Sequence, residues 1–295
     1  MTLLVAVMRT GAAVPASPVD LVGLTDDNML VSFTSDRPGE VKRIEVSGIS
    51  GSLLGIDYRP ANGQLYAIGE GANLYTIDPA TGAAALVCTL TVSFDGGPHS
   101  GFDFNPQSDR LRLVGANGQN LRSHPEIGAT AADAPLAYAE EDPHSGTKPA
   151  IAAAAYTKSV RAAPATQLFN IDSGLDLLVL QDPPNDGTLE TVGPLGIDFD
   201  GAGGFDIVSD GTGRDSAFAA SHSTLYAIDL ETGKATSLGT IGDGRIVLIG
   251  LAVQGAAFTQ GDASGTMSAN ASPLWRLGAE THPFIAERRN IAESL

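Results

Sequence analysis

Leu74-Tyr75-Thr76-Ile77-Asp78-Pro79-Ala80-Thr81-Gly82 returns 151 residues later as Leu225-Tyr226-Ala227-Ile228-Asp229-Leu230-Glu231-Thr232-Gly233. Leu168-Phe169-Asn170-Ile171-Asp172-Ser173 is a shorter version of the same phrase. Each copy reads as a short apolar strand that runs into an aspartate, and the two long copies continue into Thr-Gly. An aspartate at that place bonds nearby backbone amides, and a glycine accepts positive φ, so the phrase predicts a strand and a tight turn. Small-residue strands over 84–89 and 235–240 follow the two turns.

A second phrase precedes the first. Gly55-Ile56-Asp57-Tyr58 is followed by Gln64-Leu65-Tyr66-Ala67-Ile68, and Gly101-Phe102-Asp103-Phe104 by Arg110-Leu111-Arg112-Leu113-Val114. Gly196-Ile197-Asp198-Phe199 is followed by Gly204-Phe205-Asp206-Ile207-Val208. Ala153-Ala154-Ala155-Tyr156 and Gly250-Leu251-Ala252-Val253 are weaker copies. The starts at 55, 101, 153, 196 and 250 are 46, 52, 43 and 54 residues apart. That period accommodates four short strands and their turns, the unit of a β-propeller blade. The chain divides into blades over 53–90, 99–139, 150–193 and 194–241. A lone strand in 247–253 is completed by strands at 21–24, 29–33 and 41–46, which builds a fifth blade from both ends. Pairing first with last strand closes the ring and removes free edges. The expected fold is all-β, a five-bladed propeller of four-stranded blades. A sandwich or solenoid is the rival at this strand spacing.

Composition limits the rest. The 295 residues carry 17 Lys+Arg against 34 Asp+Glu, a formal charge of −17. A surface this acidic repels phosphate backbones and anionic lipid, which argues against nucleic-acid and membrane-surface roles. With 43% hydrophobic and 17% charged residues the chain is globular. One cysteine, Cys88, excludes an internal disulfide, a cysteine-based zinc site and a CxxC redox pair. No stretch reaches the roughly 18 apolar residues of a membrane span. Residues 1–20 read as a lead or the remnant of an export signal, because Arg9 follows the apolar run Leu3 to Met8 where a signal has its basic residues first. The domain covers 21–253. Residues 254–295 read as a flexible linker and tail, in which Phe284, Ile285 and Ile291 are the apolar positions of a short helix.

At this point the motifs resemble a bacterial family, domain of unknown function 4394, over about residues 21–253. The marks are Gly101-Phe102-Asp103-Phe104-Asn105-Pro106, Asp109-Arg110-Leu111-Arg112, Gly118-Gln119-Asn120-Leu121-Arg122, Ala153-Ala154-Ala155-Tyr156-Thr157 and Pro183-Pro184-Asn185-Asp186-Gly187-Thr188. The resemblance implies a propeller-like domain, often in exported proteins. It supplies no established reaction and no catalytic residues.

Two constellations can carry chemistry. Asp57, Asp103 and Asp198 hold the same place in three inner strands, where the other two blades have Ala155 and Ala252. Three carboxylates approaching one axis repel unless something compensates. A hard cation such as Ca²⁺ would do so through oxygen ligands. Alternatively each aspartate points between blades and accepts backbone N–H bonds, or serves as an acid or base. The second constellation is Arg110, Arg112 and Arg122. Alternation places Arg110 and Arg112 on one strand face, where guanidiniums can grip an anion. Gln119, Asn120, Asn185 and Asp186 are the polar residues expected beside them. The competing reading pairs the arginines internally with Asp103 and Asp109. HExxH, GxSxG and GxxxxGK[ST] motifs do not occur in the sequence.

No catalytic residue is assigned and no cofactor is expected, with Ca²⁺ as the one exception. The expected role is a non-enzymatic binding or scaffold module that meets a protein, a glycan or a small anionic ligand at a propeller face. An extracellular or periplasmic location goes with the export-signal reading of the N-terminus, and a cytoplasmic one with its failure. The alternative is a hydrolase or lactonase-like enzyme with a cation held by channel aspartates.

Overall fold

The computed structural model describes residues 17–97, 99–210 and 212–255. Most of the expected N-terminal lead and nearly all of the expected tail, including its helix, lie outside the described residues. Among the described residues no helix is long and apolar enough to cross a membrane.

Five sheets are present, each with four antiparallel strands at its heart. The first blade joins β1 (Asp20–Leu24), β2 (Met29–Thr34) and β3 (Arg37–Glu45) to the last strand, β21 (Gly250–Val253), in the order β21-β1-β2-β3. The second is β4 (Leu53–Tyr58), β5 (Leu65–Gly69), β6 (Asn73–Ile77) and β7 (Ala84–Thr89). The third is β8 (Ser100–Asn105), β9 (Arg110–Gly115), β10 (Asn120–Ser123) and β11 (Thr130–Ala132). A two-residue strand, β12 (Ala137–Tyr138), leads into the fourth, which is β13 (Ile151–Tyr156), β14 (Leu168–Asp172), β15 (Leu177–Gln181) and β16 (Thr188–Pro194). The fifth is β17 (Gly203–Ser209), β18 (Asp215–Ser221), β19 (Thr224–Ile228) and β20 (Ala235–Thr240). The inner strands β4, β8, β13, β17 and β21 pack in that cyclic order, and β21 meets β4 again. The protein is a five-bladed β-propeller sealed by the pairing of β1 with β21.

The sequence phrases account for this layout. The Asp-Thr-Gly phrase caps the third strand of a blade. Asp78 Oδ1 accepts the Ala80 N–H at 2.8 Å and Asp229 Oδ1 accepts the Glu231 N–H at 2.9 Å, while Gly82 and Gly233 take φ of 73° and 79°. Inner strands have a neighbouring blade on each side, so β4 and β13 are buried along their whole length. The outermost strands β7 and β20 are half-buried to exposed throughout. The apolar side chains form five clusters, one in each seam between consecutive blades.

The glycine that opens the second phrase sets the diameter of the ring. A Cβ on Gly101 would lie 2.3 Å from Ala154 Cβ of the next inner strand, and one on Gly204 would lie 2.3 Å from the Leu251 backbone N. Inner strands approach each other there more closely than any side chain permits.

Two boundaries differ from expectation. The fifth blade does not begin at Gly196-Ile197-Asp198-Phe199. Those residues form a connecting loop, because the Asp176 carboxylate accepts the Phe199 N–H at 2.8 Å and the Asp176 carbonyl accepts the Leu195 N–H at 2.8 Å. The loop delivers Phe199 into the core. The inner strand is β17, and its Gly204-Phe205-Asp206-Ile207 is the true copy, so the repeat starts fall at 55, 101, 153, 204 and 250. Residues 137–138, expected in the preceding blade, instead pair in parallel with β16, where the Tyr138 hydroxyl reaches Asp172 Oδ2 at 2.6 Å.

Candidate functional site

Around the axis, each aspartate of the repeat reaches across to the next inner strand. Asp57 Oδ2 accepts the Phe104 N–H at 3.1 Å, Asp103 Oδ2 accepts the Tyr156 N–H at 2.7 Å, and Asp206 Oδ2 accepts the Val253 N–H at 2.6 Å. The tie from blade to blade is therefore the structural role of this position. Asp198 has no share in it. It lies exposed in the loop after β16, and its expected place among the three carboxylates belongs to Asp206. The geometry that reveals this is spacing: counting from 204 brings the third and fourth intervals to 51 and 46 residues, close to the 46 and 52 of the first two.

The three side chains are each only 5% exposed. They line a cavity of about 10 Å³ together with Tyr58, Pro60, Ser159 and Gly255. That is room for about one water. Burial, and then the carboxylate of Asp103, hold the Asp57 carboxyl well above its ordinary range. Burial followed by Asp206 does the same to Asp103, and burial followed by Asp57 to Asp206. The Tyr58 phenol is pushed up to about 12 by burial, with Asp20 and Asp57 adding to the effect. Among the described residues, no three His, Cys, Asp or Glu side chains are arranged as a metal-ligand set.

The arginine constellation lies in the seam between the third and fourth blades. Arg112 is buried and its guanidinium makes four hydrogen bonds. Nη1 donates to Asn120 Oδ1 at 2.6 Å and Asp133 Oδ2 at 2.8 Å, Nη2 to Asn185 Oδ1 at 2.7 Å, and Nε to the Tyr156 hydroxyl at 3.3 Å. Gln181 Nε2 extends the network to Asn120 Oδ1 and to the Pro184 carbonyl. Asn170 Nδ2 donates to Gln181 Oε1 at 2.8 Å, and Asn170 Oδ1 is buried with no partner. Burial raises Asp133, but hydrogen bonds from Arg122 and Arg112 outweigh it and leave the carboxyl below its ordinary range. This seam is polar because β9 alternates, turning Leu111 and Leu113 to the second blade and Arg112 to the fourth.

The structure thus joins Arg112, Asn120 and Asn185 directly, and brings Arg122 in through Asp133, whose Oδ1 it meets at 3.1 Å. It does not bring in the others. Arg110 donates to the Ser108 and Asp109 carbonyls. Gln119 bonds Ser93 and Asp95 near the β9–β10 turn. Asp186 is exposed on a short 3-10 turn ended by Gly187, φ 67°. The expected carboxylate partners are corrected as well. Asp103 is spent on Tyr156, and Asp109 pairs with Arg59, which also holds Glu126 and the Tyr66 hydroxyl. Asp133, Gln181 and Asn170 were missed because they come from neighbouring strands and loops with no shared motif.

Larger spaces open at the surface. A cleft of about 360 Å³ lies between the first and second blades on the face where the inner strands end, lined by Asp20, Ser32, Phe33, Thr34, Tyr58, Pro79 and Gln254. A second one of about 810 Å³ runs past Glu40, Arg43, Asp243 and Arg245.

A ring of five blades, three of its seams tied by buried aspartates, with open clefts at its surface, defines the class: a five-bladed propeller of the repeat-built kind. The chain belongs to the DUF4394 family, a domain of unknown function whose model matches residues 29–252. Among solved structures it is similar to a structural genomics protein of unknown function from Bacteroides thetaiotaomicron, at 15% identity and a TM-score of 0.46. That match covers 80% of this chain and 62% of the other, so this chain spans less than two thirds of that protein's length. No curated protein matches.

Proposed function

We propose that the protein is a non-enzymatic binding or scaffold module acting outside the cytoplasm, and that it takes its ligand at a propeller face. The observation that carries this is a contrast of volumes. The space at the axial carboxylates is about 10 Å³, whereas the face cleft beside Tyr58 is about 360 Å³, within the range of ordinary ligand sites. The cleft combines an apolar side, Phe33 and Pro79, with Asp20, Ser32, Thr34, Gln254 and the Tyr58 phenol. Such a mixture suits a hydroxyl-rich ligand such as a glycan, or a polar peptide segment. The aspartates and Arg112 that resemble catalytic groups are spent on joining blades.

The test is a panel of oligosaccharides, small carboxylates and peptides, followed by thermal shift and by NMR of the labelled protein. Binding should perturb the ends of β1 and β2 and weaken at least tenfold in Asp20→Ala or Gln254→Ala. An ester or lactone substrate turned over by the wild type and not by Asp103→Asn would overturn the reading in favour of a hydrolase.

A further inference from the structure

We propose that the face cleft between the first and second blades takes an amino sugar, and that Asp20 holds its ammonium group. This rests on the reading of that cleft as the binding site, and it adds the chemistry of the ligand. The repeat breaks twice at this place. The second strands of the five blades align through the residue opposite the fourth position of the inner phrase. Those pairs are Leu21 with Val253, Leu65 with Tyr58, Leu111 with Phe104, Leu168 with Tyr156 and Ala217 with Ile207. The residue before each is Asp20, Gln64, Arg110, Gln167 and Ser216 in turn. The first blade alone has a carboxylate there, and Asp20 is exposed. The second break lies at the axis. Asp57, Asp103 and Asp206 each tie an inner strand to the next. Ala252 stands at that position on β21, where β21 meets β4. The cleft therefore opens in a seam without the aspartate tie, and the same seam carries the odd carboxylate.

Charge at the cleft favours a cation. Among the described residues, Asp20 is the one charged side chain in its lining. The Tyr58 phenol, pushed up to about 12 by burial and then by Asp20 and Asp57, stays neutral. Just outside, Asp78 precedes the lining Pro79, and Asp36 accepts from the Thr34 hydroxyl at 2.7 Å. Nearby arginines are already paired, Arg59 with Asp109 and Glu126, and Arg37 with Asp36 and Glu40. Lys42 stands opposite Ser32, one strand farther out and outside the lining. An ammonium group entering the cleft meets an exposed carboxylate, and an anionic ligand meets repulsion.

The rest of the lining selects a sugar among amines. At about 360 Å³ the cleft is near the lower end of small-ligand sites. Ser32, Thr34 and Gln254 supply donors and acceptors for ring hydroxyls. Tyr58 and Pro79 give an apolar wall for the C–H face of a pyranose. A lysine side chain brings its ammonium on a bare apolar stem and uses none of those hydroxyl and amide groups.

The experiment titrates the isotope-labelled full chain by NMR at low salt and pH 6, where a sugar amine is protonated. The probes are the β-1,4 disaccharide of glucosamine, its N-acetylated form, cellobiose and lysinamide. The glucosamine disaccharide should shift amides of β1, β2 and Ala80. It should bind about tenfold or more tighter than the acetylated and neutral sugars, the worth of a charge-assisted hydrogen bond. That comparison needs no variant. Asp20→Asn should bring its affinity to within about twofold of theirs, the level left when that bond is lost. Asp198→Asn, on an exposed loop before β17, should leave it unchanged. Equal binding of the acetylated or neutral sugar at the same residues overturns the amino-sugar proposal and keeps the cleft as a binding site. Shifts scattered over the acidic surface, weakened as much by Asp198→Asn, overturn it as unspecific attraction. Lysinamide binding that depends on Asp20, with no response to the disaccharide, overturns it in favour of a peptide amine. If no probe moves the cleft residues, the proposal falls together with the reading of the cleft as a glycan site.

Discussion

Asp206 and Asp198 sit eight residues apart in nearly identical phrases, Gly-Phe-Asp-Ile and Gly-Ile-Asp-Phe, yet only the first ties blades together. Asp206 supplies acceptors to the Val253 and Ile207 amides, and Asp198 faces solvent. Asp206→Ala should therefore cost about 1–3 kcal/mol, the usual penalty for stranding buried donors, and Asp198→Ala should stay within about 0.5 kcal/mol. Urea unfolding at pH 5, where carboxylate repulsion contributes least, measures both. Equal effects would remove the distinction between tie and loop. At this scale the sequence was partly legible. The repeated aspartate was visible, and so was its option of accepting backbone N–H bonds. Which of two similar phrases supplied it was hidden, because a four-residue motif does not encode the Asp176 contacts that hold 195–199 as a loop. Arg112 was legible as a charged residue on the third blade. Its partner Asp133 was not, since the pairing depends on how the strand after the β10 hairpin returns.

Whole strands obey a steric rule that single residues express. The inner strands sit so close that position 1 of the Gly-x-Asp-x phrase is glycine wherever the next backbone blocks a Cβ. Gly204 faces the Leu251 backbone N at 2.3 Å, whereas the first neighbour of a Cβ on Gly250 lies at 3.5 Å. Gly204→Ala should force β17 away from β21 and destabilise by about 1–3 kcal/mol, the cost of overpacking. Gly250→Ala should be nearly neutral, because 3.5 Å is ordinary contact. Denaturant midpoints of the two variants check this, and a tolerated Gly204→Ala would mean that the strands have room to part. Element order and strand spacing were readable in advance because each strand repeats its own periodicity and turn chemistry. The short β12 was not. Its two residues have no pattern of their own and are strands only because β16 offers an edge beside Tyr138 and Asp172.

For the molecule as a ring, the last question is where it opens. Every blade but one is formed by strands contiguous within the chain, and the first alone is assembled from both ends, through Val22 opposite Ala252 and Leu21 opposite Val253. Closure was legible in the sequence because one strand was left over at 247–253 and three at the start, and pairing them completes a fifth four-stranded blade. The ends thus act as a clasp, and global unfolding should begin with its release. A disulfide in Val22→Cys/Ala252→Cys would bridge the clasp across 230 residues. Loop entropy alone would then favour the oxidised folded form by about 5 kcal/mol. Cys88 is a weak competitor for pairing, since it is half-buried and burial pushes its thiol up, which lowers its thiolate fraction. Unfolding rates in denaturant, oxidised against reduced, provide the measurement. If the clasp leads, oxidation slows unfolding strongly and leaves refolding comparatively unchanged. If unfolding starts in another seam, such as the polar one around Arg112, the two forms unfold at similar rates.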